Sequence, residues 1–406
     1  MHYDLIIIGN SAAGLSAIKT IRAFDKKMSV AVFDKEAEPA YSRVLTPYYA
    51  GFDTDKDHLY IVDESFYPKN GIDAYLGDEV FRVDTNKKTI YTQFDTYTYR
   101  YLLIAVGAFA KQSHIKHEKV LTLRNISDAD KLRKLFSYAK SVAALGAGLV
   151  SLPTLSHLKD DVKKHIIVSS DRIFSQVVDK SASYILEEIF KNKNVFIYKH
   201  NDVESIKDNA DGSIKLSLKS NHQIDCDLLL VGKGVVPNVD FLKGEIETDK
   251  GIVIDDFCKT SAQDVYAAGD CAQGRDFVTG KSVIQGNWIT AVEQAIIAAK
   301  NILGINVAYD GSIKNNTTEV FGIDVAVVGY NKDDAENIEF YDPDRFFYRK
   351  LFFDESGFII GATLIKDTND AGLYYNLVKT RTKIDIFHNL NQFMNYPKFL
   401  SELNYR

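Results

Sequence analysis

The chain has 406 residues, with 49 Lys and Arg against 55 Asp and Glu, which gives a formal net charge of −6. At about 100–200 residues per domain, this length predicts two or three domains. A hydrophobic content of 46% with 26% charged residues excludes a disordered or fibrous chain. Because no block of basic residues occurs, we do not expect a nucleic-acid partner.

The apolar segments and the cysteines indicate the cellular location to expect for this protein. The longest apolar runs, such as Leu5–Ile8 and Leu228–Val231, are far shorter than the roughly 20 residues of a membrane span. No basic region or cleavage site precedes the first apolar run, so no secretory signal is visible. The three cysteines, Cys226, Cys258 and Cys271, have no CxxC spacing, which favours a reducing, cytoplasmic location over a disulfide framework.

The N-terminal segment has the pattern of a β-α-β unit. Tyr3–Gly9 is an apolar run that ends in glycine, Ser11–Phe24 has helical spacing, and Ser29–Asp34 is an apolar run that ends in a carboxylate. Such units predict a parallel sheet that is covered on both faces. Further strands are predicted at Ile72–Leu76 and Tyr101–Gly107.

A second β-α-β unit is predicted from Ser141 onward. Its strand and glycine loop, Ser141–Gly148, precede a helix at roughly 149–158 and the strand His165–Val168, and Asp227–Gly232 closes this half. Later strands and helices are predicted at Gly251–Asp255, Asp264–Asp270, Trp288–Leu303, Phe346–Phe353, Phe358–Leu364 and, approximately, Asp370–Lys379.

We therefore predict an α/β fold with two Rossmann-like dinucleotide-binding domains, one inserted in the other, and a small α+β C-terminal domain. The expected boundaries are 1–112 with 235–314 for the first domain, 113–234 for the inserted domain and 315–406 for the C-terminal domain.

The first glycine loop, Gly9-Asn-Ser-Ala-Ala-Gly14, lies between a predicted strand and a predicted helix. Gly9 suits the tight turn and Gly14 suits close helix–strand packing, while Ser11 replaces the middle glycine of the dinucleotide-binding fingerprint. The helix N-terminus, with the N–H groups of Ala12 and Ala13, suits a pyrophosphate. Asp34, twenty residues after Gly14, suits the ribose hydroxyls, and Glu36 is an alternative ribose ligand.

The second glycine loop, Gly146-Ala-Gly148-Leu-Val-Ser151, has weaker chemistry. Ser151 replaces the third glycine, and Pro153 lies in the first turns of the predicted helix. The ribose position after the next strand is Ser169 or Ser170, with Arg172 nearby. The missing acid favours a 2′-phosphate and NADPH, although Asp171 suits NADH, and a purely structural repeat stays open.

A third signal is Val265-Tyr-Ala-Ala-Gly269-Asp270-Cys271, in which a strand ends in small residues and a carboxylate. This turn lets a backbone pass close to a ligand. A plain turn with a capping aspartate is an equally good interpretation.

In this order, the segments resemble the pyridine nucleotide–disulfide oxidoreductase fold of two-dinucleotide flavoproteins. The similarity is carried by the two glycine loops, Tyr41-Ser42-Arg43, Tyr101–Gly107, Leu229–Asn238 and Tyr266–Asp270. The segment Tyr41–Gly51 is similar to the flavin-contacting segment of the rubredoxin, ferredoxin and nitrite-reductase-type NAD(P)H reductases.

The resemblance implies FAD in the first unit and NADH or NADPH as electron donor in the second. It implies that Asp270 contacts the ribityl chain, that the turn after Tyr41 lies beneath the flavin ring, and that the helix from Trp288 points its N-terminus at the flavin. The implied FAD residues are Gly9, Ser11, Ala12, Ala13, Gly14, Asp34, Lys35, Ser42, Arg43, Val80, Ala105, Gly107, Gly269, Asp270 and Trp288. The implied nicotinamide nucleotide residues are Gly146, Gly148, Leu149, Val150, Ser169, Arg172 and Gly232.

This sequence departs from the disulfide-using branches of the family. It has no cysteine before Cys226, and Val44 stands where the single-cysteine branches carry the thiol. Thiol–disulfide and peroxide chemistry by that route is therefore excluded. The Lys and Glu that ferredoxin-type reductases pair near the flavin are Tyr48 and Pro153 here, which weakens the expected site for hydride transfer.

We expect an FAD-dependent NAD(P)H oxidoreductase that passes electrons to a small iron–sulfur protein such as rubredoxin or ferredoxin, with no acid–base residue and no metal assigned. The alternatives are an oxidase that reduces oxygen directly, and an FAD-carrying subunit of a larger complex. A homodimer is also open. His114 and His117 are expected in an exposed loop, Cys271 in the core, and Phe346–Phe353 in a strand of the C-terminal domain or at a docking surface.

Overall fold

The computed structural model describes residues 1–191 and 193–383. Two compact units are formed, one by Met1–Ala139 with Asp227–Ser312 and the other by Lys140–Cys226 with the chain from Ile313 onward. The three-domain division expected from the sequence stays a prediction, and its C-terminal domain beyond residue 383 lies outside the described residues.

The first unit begins at the N-terminus with strands and helices in alternation. Its elements up to residue 139 are β1 (His2–Ile8), α1 (Ala12–Phe24), β2 (Val30–Asp34), α2 (Thr46–Ala50), α3 (Phe66–Lys69), β3 (Ile72–Leu76), β4 (Val80–Asp84), β5 (Thr89–Thr92), β6 (Thr96–Ile104), β7 (Ala108–Ala110), β8 (Val120–Leu121) and α4 (Ile126–Phe136).

The second unit begins at residue 140. Its elements up to residue 226 are β9 (Ser141–Leu145), α5 (Ser151–Ser156), β10 (Lys163–Ile167), α6 (Lys180–Phe190), β11 (Val195–Tyr198), β12 (Val203–Asp208), β13 (Ile214–Leu218) and β14 (Gln223–Cys226).

The chain then returns to the first unit and finally to the second. The first unit gains β15 (Leu228–Val231), β16 (Val235–Pro237), β17 (Ile252–Val253), β18 (Val265–Ala267), β19 (Ala272–Arg275), β20 (Ser282–Val283) and α7 (Trp288–Ile302). The second gains β21 (Asn315–Val320), β22 (Ile323–Gly329), β23 (Glu336–Asp342), β24 (Phe347–Phe353), β25 (Ile359–Ile365) and α8 (Ala371–Lys379).

The main sheet of the first unit has the strand order β3-β2-β1-β6-β5-β4, with β18 also paired to β6. β1 runs parallel to β2 and β6, and β18 runs parallel to β6, whereas β5 is antiparallel to β6. The carboxyl ends of β1, β2, β6 and β18 therefore meet at one edge, where ligands bind in open parallel sheets. The α/β fold predicted from the sequence is confirmed.

Small residues let α1 and α7 pack against the sheet. The buried face of α1 includes Ala13, Gly14 and Ala17, and that of α7 includes Ala291 and Ala295. Because these side chains are short, the two helix backbones approach closely and their first turns reach the same sheet edge. This packing positions both helix N-termini beside the first glycine loop.

The second unit combines a parallel and an antiparallel part. β9, β10 and β11 are parallel neighbours, and β12-β13-β14 form an antiparallel meander. The C-terminal segment forms an antiparallel sheet in the order β21-β22-β25-β24-β23. Most of the aromatic run Phe346–Phe353 is thus the interior strand β24 with Phe352 and Phe353 buried, and its interpretation as a strand is confirmed.

Candidate dinucleotide-binding sites

The first glycine loop joins β1 to α1 at backbone contact. Gly9 has φ +109° and donates its N–H to Phe33 O at 2.7 Å. A Cβ on Gly9 would lie 2.2 Å from Ala105 O, and a Cβ on Gly14 would lie 1.9 Å from Gly9 O. Both positions therefore need glycine, because any side chain would push α1 away from the sheet.

The N-terminus of α1 offers free backbone donors. Ser11 is the N-cap residue, and its side chain makes no capping hydrogen bond. The N–H groups of Ala12, Ala13 and Gly14 have no acceptor within the helix, and the helix dipole adds partial positive charge there. This geometry suits an anion such as a pyrophosphate.

Asp34 lies at the end of β2, beside this loop. Its Oδ2 accepts the N–H of Asn10 at 2.6 Å, and its Oδ1 accepts the N–H of Glu36 at 2.9 Å. Burial raises the pKa of Asp34, and the two backbone hydrogen bonds oppose that shift. A carboxylate held in this way keeps lone pairs for ribose hydroxyls.

Glu36, the alternative ribose ligand, is engaged by other side chains. Its Oε1 lies 2.6 Å from Nη2 of Arg43, and its Oε2 accepts a hydrogen bond from Tyr41 Oη at 2.6 Å. Arg43 also donates to Tyr41 Oη and to Arg124 O. The geometry therefore favours Asp34 over Glu36 at the ribose.

Asn10 was not expected from the sequence. Its Nδ2 donates to Tyr67 Oη at 2.7 Å, and the same phenol oxygen accepts the N–H of Ala40 at 3.0 Å. Asn10 is 5% exposed, and its Oδ1 has no hydrogen-bond partner among the described residues. A buried amide oxygen beside Asp34 marks a place where a bound ligand can supply the missing donor.

The turn after β18 meets the first turns of both helices. Gly269 has φ +83°, and a Cβ there would lie 3.5 Å from the Cβ atoms of Ala13 and Ala291. Its N–H donates to Gln294 Oε1 at 2.9 Å. Asp270 follows directly, so its carboxylate is presented at the edge to which α1 and α7 point.

Arg124 is a second residue that the sequence did not reveal. Its Nη2 donates to Asp270 Oδ2 at 2.7 Å, and its Nε donates to Ala108 O at 2.8 Å. A Cβ on Gly107 would lie 3.5 Å from Nη2 of Arg124. No sequence motif marks Arg124 as a site residue, because it lies before α4 and outside every glycine loop.

The remaining residues expected at the first site lie on several elements of the first unit. Lys35 Nζ lies 4.0 Å from the ring centroid of Phe109, Ser42 is the N-cap residue of the 3₁₀ turn Arg43–Leu45, and Val80 begins β4. Ala105 follows β6 and is buried. Trp288 begins α7 as expected, and the Asn287 side chain caps that helix by accepting the N–H of Thr290 at 2.8 Å.

The second glycine loop has the same turn but a shorter helix. Gly146 has φ +106° and donates its N–H to Ile167 O at 2.8 Å, and a Cβ on Gly148 would meet nothing within 4 Å. The helix spans only Ser151–Ser156, instead of the expected 149–158. Pro153 lacks the N–H that would close a turn onto Leu149, so Leu149 and Val150 precede the helix.

The residues after β10 form a turn rich in polar side chains. Ser169 is exposed, Ser170 Oγ donates to Arg172 O at 2.6 Å, and Arg172 Nη1 lies 3.0 Å from Asp171 Oδ1. Gly232, also expected at this site, follows β15 in the first unit.

The cysteine nearest the first site, Cys271, is part of the core. Cys271 is fully buried, its Sγ donates to Ile104 O and Ala268 O, and burial raises the pKa of its thiol to about 12. Its interpretation as a core residue is confirmed. Across residues 1–191 and 193–383 no group of His, Cys, Asp and Glu that could hold a metal ion is present. No helix in the same part of the chain is long and apolar enough to cross a membrane.

Family models match most of the chain. Residues 3–296 match the model described as pyridine nucleotide-disulphide oxidoreductase, and residues 315–382 match the rubredoxin NAD+ reductase C-terminal domain.

Curated relatives are similar over most of this chain but differ in length. The assimilatory nitrate reductase electron transfer subunit of Bacillus subtilis is 28% identical over 90% of this chain, which spans 48% of that relative. The NADH-dependent phenylglyoxylate dehydrogenase subunit epsilon of Aromatoleum evansii is 29% identical, with 94% of this chain and 93% of the relative covered. Rubredoxin-NAD(+) reductase of Pseudomonas putida is 27% identical, with 74% and 80% covered.

Solved structures share the fold. The covalent putidaredoxin reductase–putidaredoxin complex matches with a TM-score of 0.90 at 16% identity, covering 100% of this chain and 99% of that chain. The water-forming NADH oxidase of Lactobacillus brevis matches with a TM-score of 0.88 at 21% identity, covering 95% and 92%.

Proposed function

Because this chain belongs to the pyridine nucleotide-disulphide oxidoreductase family, we propose that it is an FAD-dependent NAD(P)H oxidoreductase that delivers electrons to a small iron–sulfur protein. The family binds FAD and a nicotinamide nucleotide, and the relatives are oxidoreductases. The acceptor class rests on relatives named for rubredoxin and on the putidaredoxin complex.

The residues of the first site fit FAD. Gly9 and Gly14 leave no room for a Cβ, so the loop backbone turns tightly in front of the free N–H groups of α1. Asn10 Oδ1 is buried without a partner among the described residues. Asp34 would hold the ribose, the α1 N-terminus the pyrophosphate and Asp270 the ribityl chain.

When bound, FAD accepts two electrons from a reduced nicotinamide and releases them one at a time. The protein contributes position and charge around it. Arg124 neutralises Asp270, Arg43 neutralises Glu36, and the N-terminus of α7 supplies partial positive charge. The single observation that carries the proposal is the α1 loop with Asp34, since it joins pyrophosphate donors and a ribose acceptor at one sheet edge.

The chain offers no thiol for disulfide chemistry at this site. Val44, which stands at the position of the family's cysteine, is exposed, and the three cysteines, including Cys271 beside Asp270, are buried. Electrons must therefore leave to an external acceptor and not through a protein disulfide.

An anaerobic titration tests the proposal. We expect NADH or NADPH to bleach the flavin at one equivalent, and steady turnover to appear only when a rubredoxin or ferredoxin is added. Turnover with oxygen alone at an equal rate would favour the oxidase. A bound flavin that neither nucleotide reduces would contradict the proposal.

A second candidate, an FAD-carrying subunit of a larger redox complex, is favoured by the second loop. Its helix has six residues with Pro153 at the third, so it offers a weaker anion site than the 13-residue α1. The Aromatoleum relative, a dehydrogenase subunit, has nearly the same length. Co-purification of the native protein with a dehydrogenase subunit would support this candidate.

A further inference from the structure

The two glycine loops can be aligned residue by residue through their strand registers. In the first unit Ile8 pairs with Phe33, and Gly9 donates to Phe33 O at 2.7 Å. In the second unit Leu145 pairs with Ile167, and Gly146 donates to Ile167 O at 2.8 Å. The φ angles of the two glycines, +109° and +106°, also agree. The residues that directly follow Phe33 and Ile167 therefore occupy equivalent positions in the two units.

By this alignment, Val168 occupies the position that Asp34 holds in the first unit. Ser169, the ribose position expected from the sequence, lies one residue later and corresponds to Lys35. Val168 is 5% exposed, its N–H donates to Tyr198 O at 3.0 Å, and its C=O accepts the N–H of Asn201 at 2.8 Å. Both backbone polar groups of Val168 are thus hydrogen-bonded within the protein, and its side chain cannot accept a hydrogen bond.

This replacement changes which adenosine ribose suits the site. A carboxylate at the strand end accepts hydrogen bonds from the ribose hydroxyls of NADH and repels the 2′-phosphate of NADPH. Val168 does neither. NADH therefore loses the acceptor that usually selects it, whereas NADPH meets no fixed negative charge at this position.

The turn that follows supplies donors for a phosphate. Ser169 is exposed, so its hydroxyl can donate to a phosphate, whereas the Ser170 hydroxyl already donates to Arg172 O at 2.6 Å. The Arg172 guanidinium is tied to Asp171 through Nη1, but its Nε is buried and has no hydrogen-bond partner among the described residues. Lys199, on the neighbouring loop, is held by Glu187 at 2.8 Å. Arg172 is thus the better placed cation.

Asp171 is the feature that opposes a phosphate. Its side chain is 42% exposed, twice the 21% of Arg172, so it can turn into solvent and release the guanidinium. A solvent-accessible ion pair of this kind contributes little free energy. A phosphate with nearly two negative charges makes stronger charge-assisted hydrogen bonds to the same group.

We propose that the second nucleotide loop binds NADPH in preference to NADH, with Arg172 and the hydroxyl of Ser169 contacting the 2′-phosphate. This inference rests on the proposed function, because it names the electron donor of that same site.

The test compares both nucleotides on the FAD-loaded protein. We expect the rate constant of flavin reduction divided by the apparent Kd to be at least about tenfold higher for NADPH, the size of one charge-assisted hydrogen bond. Arg172→Gln should lower the NADPH-to-NADH ratio by about tenfold. Lys163→Gln, the same charge change at the exposed start of β10, should leave the ratio unchanged.

A binding measurement without turnover gives a second readout. Calorimetry should show adenosine 2′,5′-bisphosphate binding more tightly than 5′-AMP, and Arg172→Gln should remove the difference. Val168→Asp, which copies Asp34, should reverse the nucleotide preference. If that variant does not fold, the Arg172 result still decides.

These experiments distinguish failure of this inference from failure of the proposed function. Faster reduction by NADH, or an Arg172→Gln effect that is equal for both nucleotides, would overturn the inference and leave the proposed function intact. Reduction by neither nucleotide would overturn both.

Discussion

Arg124 Nη2 lies 2.7 Å from Asp270 Oδ2, although 146 residues separate the two along the chain. The pair joins the segment before α4 to the turn after β18. Arg43 adds a hydrogen bond to Arg124 O at 3.0 Å, so the segment after β2 belongs to the same group. Three distant parts of the sequence are thus tied together beside the first glycine loop.

Replacement of Arg124 should weaken flavin binding. Its side chain and that of Asp270 are 23% and 19% exposed, so loss of this half-buried ion pair should also cost about 1–3 kcal/mol of unfolding free energy. Arg124→Leu leaves Asp270 without its cation at the implied ribityl position. We expect the Kd for FAD, measured by fluorescence on reconstituted apoprotein, to rise at least about tenfold.

Lys191→Leu is the control for that experiment, because it removes the surface ion pair with Glu188 in the other unit. An equal loss of FAD affinity in both variants would argue against a role for Arg124 at the flavin.

The glycines of the two loops should respond differently to a methyl group. Gly14→Ala places a Cβ 1.9 Å from Gly9 O, so α1 must move, and we expect a loss of at least about 3 kcal/mol or a protein without FAD. Gly148→Ala meets nothing within 4 Å, so its unfolding free energy should change by less than about 0.5 kcal/mol.

Flavin content and thermal unfolding of the two glycine variants give the readout. FAD-replete Gly14→Ala of normal stability would contradict the backbone contact between α1 and β1.

A buried histidine should make the second unit acid-sensitive. Burial lowers the pKa of His165 to about 4, with Lys163 adding to the shift, and its ring stacks on Phe196 and lies 3.3 Å from Tyr198 Oη. The unfolded chain takes up this proton near pH 6.5 and the folded chain does not. Stability should therefore fall as the pH drops from 6.5 towards 4, by on the order of 3 kcal/mol.

Urea unfolding of the wild type and of His165→Phe between pH 4 and 7 measures this loss of stability. The variant keeps an aromatic ring in the stack. The difference between the two curves of unfolding free energy against pH therefore reports proton uptake by His165. Parallel curves would show that His165 is not the group responsible.

Thiol reagents should not affect the enzyme. Cys226, Cys258 and Cys271 are each at most 1% exposed, and burial raises the pKa of the Cys258 and Cys271 thiols. Thiolate is the reactive form, so we expect iodoacetamide to leave flavin reduction unchanged. Titration with a chromogenic disulfide should find about zero thiols in the native protein and three after denaturation. Rapid inactivation by alkylation would contradict the burial of Cys271 beside Asp270.

The sequence by itself determined the first strands and the glycine loops of the two β-α-β units, and it indicated the cofactor class. Apolar runs that end in glycine, followed by helical spacing, depend on local backbone requirements that can be read from neighbouring residues. Gly9, Gly14 and Asp34 accordingly lie where the fingerprint predicts. The limits of α1, β2 and α7 differ from the expected ranges by at most one residue.

Only the tertiary structure decided which side chains meet. Val168, not Ser169, stands opposite Gly146 because strand pairing sets the register, and a sequence read alone does not show which residues pair. Glu36 is taken by Arg43, and Asp270 by Arg124, through contacts between segments far apart in the chain. Such contacts depend on how helices and strands pack, so local pattern could supply the loops but not their partners.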